Sequence, residues 1–149
     1  MGFGAQMDEA LALARAAGEA GEVPVGALVI SPSGEVVGRG RNETRARADP
    51  SAHAEMLAIR EACEGLGSER LPGHALWVTL EPCAMCAGMI AAARIARVIY
   101  GAADPKSGGV EQGARVFAHP QSHHAPEVVG GVREAEAAAL LRGFFAGRR

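Results

Sequence analysis

Val23-Pro24-Val25-Gly26-Ala27-Leu28-Val29-Ile30 places Val, Leu and Ile on both alternating faces, the pattern of a β-strand covered on two sides. Ser31-Pro32-Ser33-Gly34 follows with Pro second and Gly fourth, which suits a type I turn. Glu35 to Arg41 then returns as the hairpin partner. Upstream, Met7, Ala10, Leu11, Ala14 and Ala17 recur at helical spacing and predict an amphipathic helix from about Gln6 to Gly18. Downstream, a polar stretch from Asn42 to Ser51 precedes a second helix over about Ala52 to Glu64. Leu71-Pro72-Gly73 breaks the chain, and Ala75 to Leu80 reads as a third strand. Pro82 suits a first helical position, so a third helix is expected from Pro82 to Ala93. Arg97 to Tyr100 is a short fourth strand, and Gly101 to Pro126, rich in Gly, Pro and His, reads mostly as loop. Val132 to Ala146, with Leu141, Phe144 and Phe145 on one face, closes the chain as a helix. The order αββαβαβ with a helical end implies a three-layer α/β fold. No internal repeat is visible.

A chain of 149 residues suits one domain and can bury roughly 70% of its unfolded surface. Apolar residues make up 48% and charged residues 21%, which excludes disordered and fibrous classes. No uncharged apolar run approaches the roughly 18 residues of a membrane span. Met1 to Gln6 lacks the features of a signal peptide, and Gln6 breaks the myristoylation pattern. A cytoplasmic protein without a membrane partner is expected. Three cysteines cannot make a disulfide scaffold. The net charge of −2 argues against non-specific coating of nucleic acid, although a local basic patch is compatible with it. Fourteen of the fifteen basic residues are Arg, which suits phosphate contacts but also follows from genome composition.

Two clusters carry chemistry: His53-Ala54-Glu55 at the start of the second helix, and Pro82-Cys83-Ala84-Met85-Cys86 at the start of the third. Cysteines at i and i+3 share a helix face, and a helix N-terminus favours their thiolates. A bare C-x-x-C serves redox exchange and metal binding equally. His53 decides between them, because a third ligand completes Cys₂His and leaves the fourth tetrahedral position of a zinc ion open to water. Two thiolates cancel the charge of the metal, so its water is acidified less than at a His₃ site, and a nearby carboxylate would help take the proton. Glu55 lies about 200° from His53 on an ideal helix, but within a first, imperfect turn both can face one pocket. Cys63, in the middle of a helical pattern, is expected to be a buried core residue.

H-x-E followed by P-C-x-x-C is the pattern of zinc-dependent nucleobase deaminases. The surrounding segments narrow it: Val23-Pro24-Val25-Gly26-Ala27, Asn42, Asp49-Pro50-Ser51-Ala52, Thr79-Leu80-Glu81-Pro82, and Tyr100 to Gly108 with its Ala-Asp-Pro-Lys-Ser-Gly block. From near Met7 to Phe145 the chain resembles the bacterial tRNA-specific adenosine deaminases, within the zinc-dependent cytidine/deoxycytidylate deaminase superfamily. The resemblance implies residues 1–149 as a single deaminase domain of cytidine-deaminase-like fold, a mixed five-stranded sheet between helices. The fifth strand would come from Glu127 to Val129.

That resemblance further implies a homodimer that converts adenosine to inosine at the wobble position of a tRNA anticodon loop. His53, Cys83 and Cys86 would bind one Zn2+ per chain, with no organic cofactor, and Glu55 would act first as base and then as acid. Asn42 would hydrogen-bond the target base, Asp104 would lie beside the ribose, and Lys106 would meet a backbone phosphate. Val25 and Pro82 would wall the pocket. Each has a plainer reading beside it: Asn42 as a turn residue, Asp104-Pro105 as a turn opener, Lys106 as a solvated charge.

Other residues invite weaker readings. His119, His123 and His124 suit solvent or RNA better than a second metal. Trp77 and Tyr100 belong to the core. Arg39, Arg41, Arg45 and Arg47 could form a basic strip, and Arg148 and Arg149 resemble a basic tail. Gly109 to Ala118 follows the family pattern poorly, with Glu111 in a loop expected near RNA. Three alternatives stay open: a deaminase of free guanine, cytosine or a nucleoside; a non-catalytic zinc RNA-binding module; and redox exchange through Cys83 and Cys86.

Overall fold

The computed structural model describes residues 4–148, so the expectations for the first three residues and for Arg149 lie outside the described residues. Helix α1 (Gly4–Glu19) buries Met7, Ala10, Leu11, Ala14 and Ala17, the five positions that its spacing marks. Strand β1 (Gly26–Ile30) is buried at every residue but begins later than the apolar run. Pro24 has no N–H for a ladder, and the Val25 amide closes a tight turn onto the Val23 carbonyl at 2.9 Å. The Gly34 amide donates to the Ser31 carbonyl at 2.9 Å, closing the expected turn into β2 (Val36–Arg41).

Gly38 and Gly40 on β2 are packing requirements. A Cβ at either position would lie 2.1 Å from a carbonyl oxygen of the next helix, that of Ala58 or Ala54 respectively. The bare backbone of β2 therefore lets α2 (Ala54–Leu66) lie directly on it. Gly67 ends α2 in the left-handed conformation (φ 72°), its amide bonded to the Cys63 carbonyl.

Strand β3 (Ala75–Leu80) falls where expected. Helix α3 (Ala84–Ala92) starts later than expected: Cys83 is its N-cap, and Pro82 precedes the helix instead of opening it. The Pro82 carbonyl is taken by the Gly109 amide at 2.8 Å, outside any helical ladder. Strand β4 (Arg97–Ala102) runs two residues past its expected end, and β5 (Glu127–Val129) occupies the segment that the resemblance implies. Between them lie loops and one 3-10 turn, Val116–Ala118. Helix α4 (Glu134–Ala146) follows Arg133, whose positive φ of 58° delays its start. On α4, Leu141 and Phe144 are half-buried but Phe145 is 48% exposed, so the expected three-residue face does not all turn inward.

The sheet order is β2-β1-β3-β4-β5. β1 pairs antiparallel with β2 and β3, while β3, β4 and β5 run parallel, which makes the sheet mixed. Ala27, Val29, Leu76, Val78, Val98 and Tyr100 join Ala54, Ala58, Ile59 and Ile90 of α2 and α3 in one core. Leu28, Ile30, Trp77 and Ile99 face Met7, Ala10, Leu11 and Ala137 of α1 and α4 in the other. Three layers result, with Trp77 and Tyr100 in the cores as expected. Cys63 departs from expectation: it is only half-buried, at the margin of the first core, because α2 turns that flank toward solvent. No helix among the described residues is long and apolar enough to cross a membrane.

Candidate metal centre

Helices α2 and α3 present their N-termini to one another, and the residues at both capping positions are potential metal ligands. His53 and Cys83 adopt extended capping conformations (φ −74°, ψ 153° and φ −72°, ψ 174°), but neither side chain caps its own helix. At α2 that task falls to Asn42, whose Oδ1 accepts from the Ala54 amide at 2.9 Å while its Nδ2 donates to the Val23 carbonyl at 3.1 Å. The imidazole is thereby released to face the sulfurs.

His53 Nδ1 lies 3.7 Å from Cys83 Sγ and 3.4 Å from Cys86 Sγ. The three donor atoms all fall within 4.8 Å of one another, the one such group among the described residues. With zinc–sulfur bonds of about 2.3 Å and zinc–nitrogen bonds of about 2.0–2.1 Å, tetrahedral coordination separates N and S by about 3.6 Å. The donor set therefore has the spacing that a tetrahedral ion requires, with three protein donors in place of four. Cys63 contributes none.

Charge in this corner is tightly shared. The hydrogen bond from the Cys86 thiol, against the opposing effect of burial and with help from His53, pulls the Cys83 thiol down to about 4. Cys86, facing that thiolate in a buried position, is pushed upward. His53 is raised chiefly by Cys83. Glu55, 4% exposed, is pushed up to about 7 by burial, with His53 opposing and Cys83 adding to the shift. The second residue of α2 thus places a buried carboxyl beside the three donors, within reach of a proton held there.

Val25 is buried in the core cluster that contains Ala54, and Pro82 is buried next to Cys83. Asp104 Oδ1 accepts from the amides of Lys106 and Ser107 at 3.1 and 3.0 Å, a turn of the plainer kind. Lys106 is exposed. In the arginine strip, Arg39 pairs with Glu9 and Arg47 with Glu43, which reduces its net positive charge. His124 Nε2 approaches the Ile95 carbonyl at 2.6 Å, whereas His119 and His123 are exposed and line a shallow groove along α3. Arg148 stacks on the Phe144 ring at 3.6 Å. Glu111, an awkward charge for an RNA-facing loop, accepts a hydrogen bond from the Tyr100 hydroxyl.

Two buried acids have no role in the sequence reading. Glu22 accepts from the amides of Arg45 and Ala46 and from the Thr44 hydroxyl, bracing the segment behind Asn42. Glu81, 2% exposed, accepts from four backbone amides between Asp104 and Gln112. The signal for Glu81 was its place, an acid directly after a strand buried on both faces.

The profile of the MafB19-like deaminases matches residues 3–149. The chain is 54% identical over 143 residues to a tRNA-specific adenosine deaminase of Agrobacterium fabrum, covering 96% of this chain and 93% of that one. It is 51% identical over 141 residues to a tRNA(Ile)-lysidine synthase of Deinococcus radiodurans, covering 95% of this chain and 24% of that longer protein. A solved structure from studies of A-to-I editing by tRNA:A34 deaminases at the wobble position of transfer RNA superposes with a TM-score of 0.89. At 54% identity, that match covers 91% of this chain and 98% of the other.

Proposed function

The chain belongs to the MafB19-like deaminase family, and on that premise we propose that it hydrolyses adenosine to inosine at the wobble position of a tRNA anticodon loop. The observation that carries this reading is the buried Glu55 carboxyl beside the three-donor corner of His53, Cys83 and Cys86. A purely structural zinc site, closed by four protein ligands, has no use for such an acid. The similarity to tRNA-specific adenosine deaminases over nearly the whole chain supports tRNA as the substrate class.

His53 Nδ1 and the sulfurs of Cys83 and Cys86 fit a single zinc ion, judged by their donor types and spacing. Bound there, zinc supplies a Lewis acid that acidifies water and stabilises negative charge developing on oxygen. Glu55 takes a proton from the attacking water. It delivers this proton to the adenine ring nitrogen, and then moves a proton to the amine at C6, which departs as ammonia. Adenosine and water are consumed, and inosine and ammonia are formed.

Val25 and Pro82 wall the base pocket in this reading. Asn42, one amide hydrogen still free after its bond to Val23, contacts the target base. Asp104 approaches the ribose and Lys106 a phosphate. The whole chain acts as a single deaminase domain, pairs as a homodimer, and works in the cytoplasm where its tRNA substrate resides. Anticodon loops suit the reaction because their bases splay out at small cost.

The test is incubation of purified protein with a panel of tRNA transcripts and with free guanine, cytosine and adenosine, measuring inosine and ammonia. Inosine at the first anticodon position, absent with Glu55→Ala, is the expected result. Ammonia from free bases with none from RNA would replace this reading with that of a free-base deaminase.

A further inference from the structure

Glu81 connects two parts of the molecule that the chain keeps more than twenty residues apart. Its backbone amide ends the β3 ladder by donating to the Ala102 carbonyl at 2.8 Å. Its carboxylate then reaches into the loop beyond β4. Oε1 accepts from the Asp104 amide at 3.0 Å, and Oε2 accepts from the amides of Val110, Glu111 and Gln112 at 3.3, 2.7 and 2.9 Å. One buried carboxylate gathers both ends of a nine-residue segment. Four backbone donors, with no cation needed, satisfy the charge.

The loop so gathered presses on the metal corner. The Gly109 amide donates to the Pro82 carbonyl at 2.8 Å, and Gly108 forms an antiparallel bridge with Cys83. Both glycines are required by proximity: a Cβ on Gly108 would lie 2.8 Å from the Glu81 carboxylate carbon, and one on Gly109 2.5 Å from the Ala84 amide nitrogen. Asp104 and Lys106 ride on the same segment.

We propose that Glu81 is a positioning residue: by collecting the amides of residues 104–112 it fixes the substrate-contacting loop in register with the Cys83 side of the metal corner. The proposal rests on the deamination reading for its substrate, but its geometric core does not depend on that reading. Glu81 touches no reacting atom. It acts through Asp104, Lys106 and the backbone of Gly108.

The test uses zinc-loaded full-length protein and Glu81→Gln, whose amide turns an N–H toward donors that the carboxylate satisfied. Amide exchange at Glu111 and Gln112 should quicken roughly tenfold or more. The KM for an anticodon stem-loop should rise roughly 10- to 100-fold, while kcat changes far less and zinc content stays at the wild-type level. Unchanged exchange together with unchanged KM overturns the proposal, as does loss of zinc with exchange in the loop unaltered. Gly108→Ala keeps the carboxylate but sets a Cβ 2.5 Å from the Asp104 carbonyl oxygen and 2.8 Å from Glu81 Oε1, crowding the contact between them. Should Glu81→Gln fail to fold, a raised KM in Gly108→Ala supports the proposal and a wild-type KM overturns it. If wild-type protein forms no inosine in any RNA, the deamination reading fails, and exchange in Glu81→Gln alone decides whether the carboxylate holds the loop.

Discussion

Replacing Gly40 with Ala should damage the active site from behind, through the strand that supports it. The new Cβ would lie 2.1 Å from the Ala54 carbonyl oxygen and 2.8 Å from the Ala58 nitrogen. Since carbon and oxygen are comfortable only at about 3.3 Å, relief requires moving the start of α2 by roughly 1 Å. Overpacking of this kind destabilises by about 1–3 kcal/mol. Ala54 stands between His53 and Glu55, so the same movement displaces both, and a 1 Å misplacement can cost about 10²-fold in rate. Gly38→Ala is the matched control. Its Cβ meets the Ala58 carbonyl at the same 2.1 Å, one helical turn farther from the site. The two variants should show similar losses in urea denaturation but different losses in kcat and zinc occupancy, the larger in Gly40→Ala. Equal activity in the two, at equal loss of stability, would refute the argument that β2 sets the position of His53 and Glu55.

Other outcomes follow from the same geometry. Glu55→Gln should retain zinc by metal analysis yet lose roughly 10²- to 10⁴-fold in inosine formation, since a carboxamide cannot relay a proton. Prolonged chelation should abolish activity, and zinc should restore it in wild type but not in Cys86→Ser. Glu22 is held below its ordinary value of 4.5: burial works upward, but the amides of Ala46 and Arg45 and the Thr44 hydroxyl outweigh it. A carboxylate lowered by folding stabilises fully above that ordinary value and loses its contribution as pH falls through the lower folded value. Wild-type urea midpoints should therefore decline below about pH 4.5, and Glu22→Gln should show a shallower acid slope from a lower starting stability. If Lys106 meets a backbone phosphate as proposed, Lys106→Ala should weaken stem-loop binding similarly for all sequences and reduce the salt slope by about 1; an unchanged slope would remove that role.

The fold was legible where burial repeats along the chain. Ala27 to Ile30 and Leu76 to Val78 alternate between two cores, and the alternation is written in their side chains. Boundaries were less so. Pro82 suits a first helical position, yet the Gly109 amide, 27 positions on, claims its carbonyl and leaves the N-cap position to Cys83. The three residues of β5 are too few to establish a period, and only the family resemblance pointed to them. The grouping of His53, Cys83 and Cys86, with Glu55 beside them, was readable because their spacing is local to two helix starts. Asn42 as the remote cap of α2, Glu81 as the anchor of a distant loop, and Tyr100 as the partner of Glu111 were not readable. Each depends on contacts that only the folded chain creates.

The order of the strands also bears on pairing between separate molecules. A sheet that does not close has two borders, and an open border invites a stray strand to add itself. One border here is β5, only three residues long and too short to template much pairing. The other is β2, where bare glycines lie tight against a helix and alternate with Arg39 and Arg41. Charged side chains on that margin, Arg41 and the Arg39–Glu9 ion pair, discourage a second sheet from docking alongside. Arginines that look like a nucleic-acid surface in the sequence can thus also guard against aggregation.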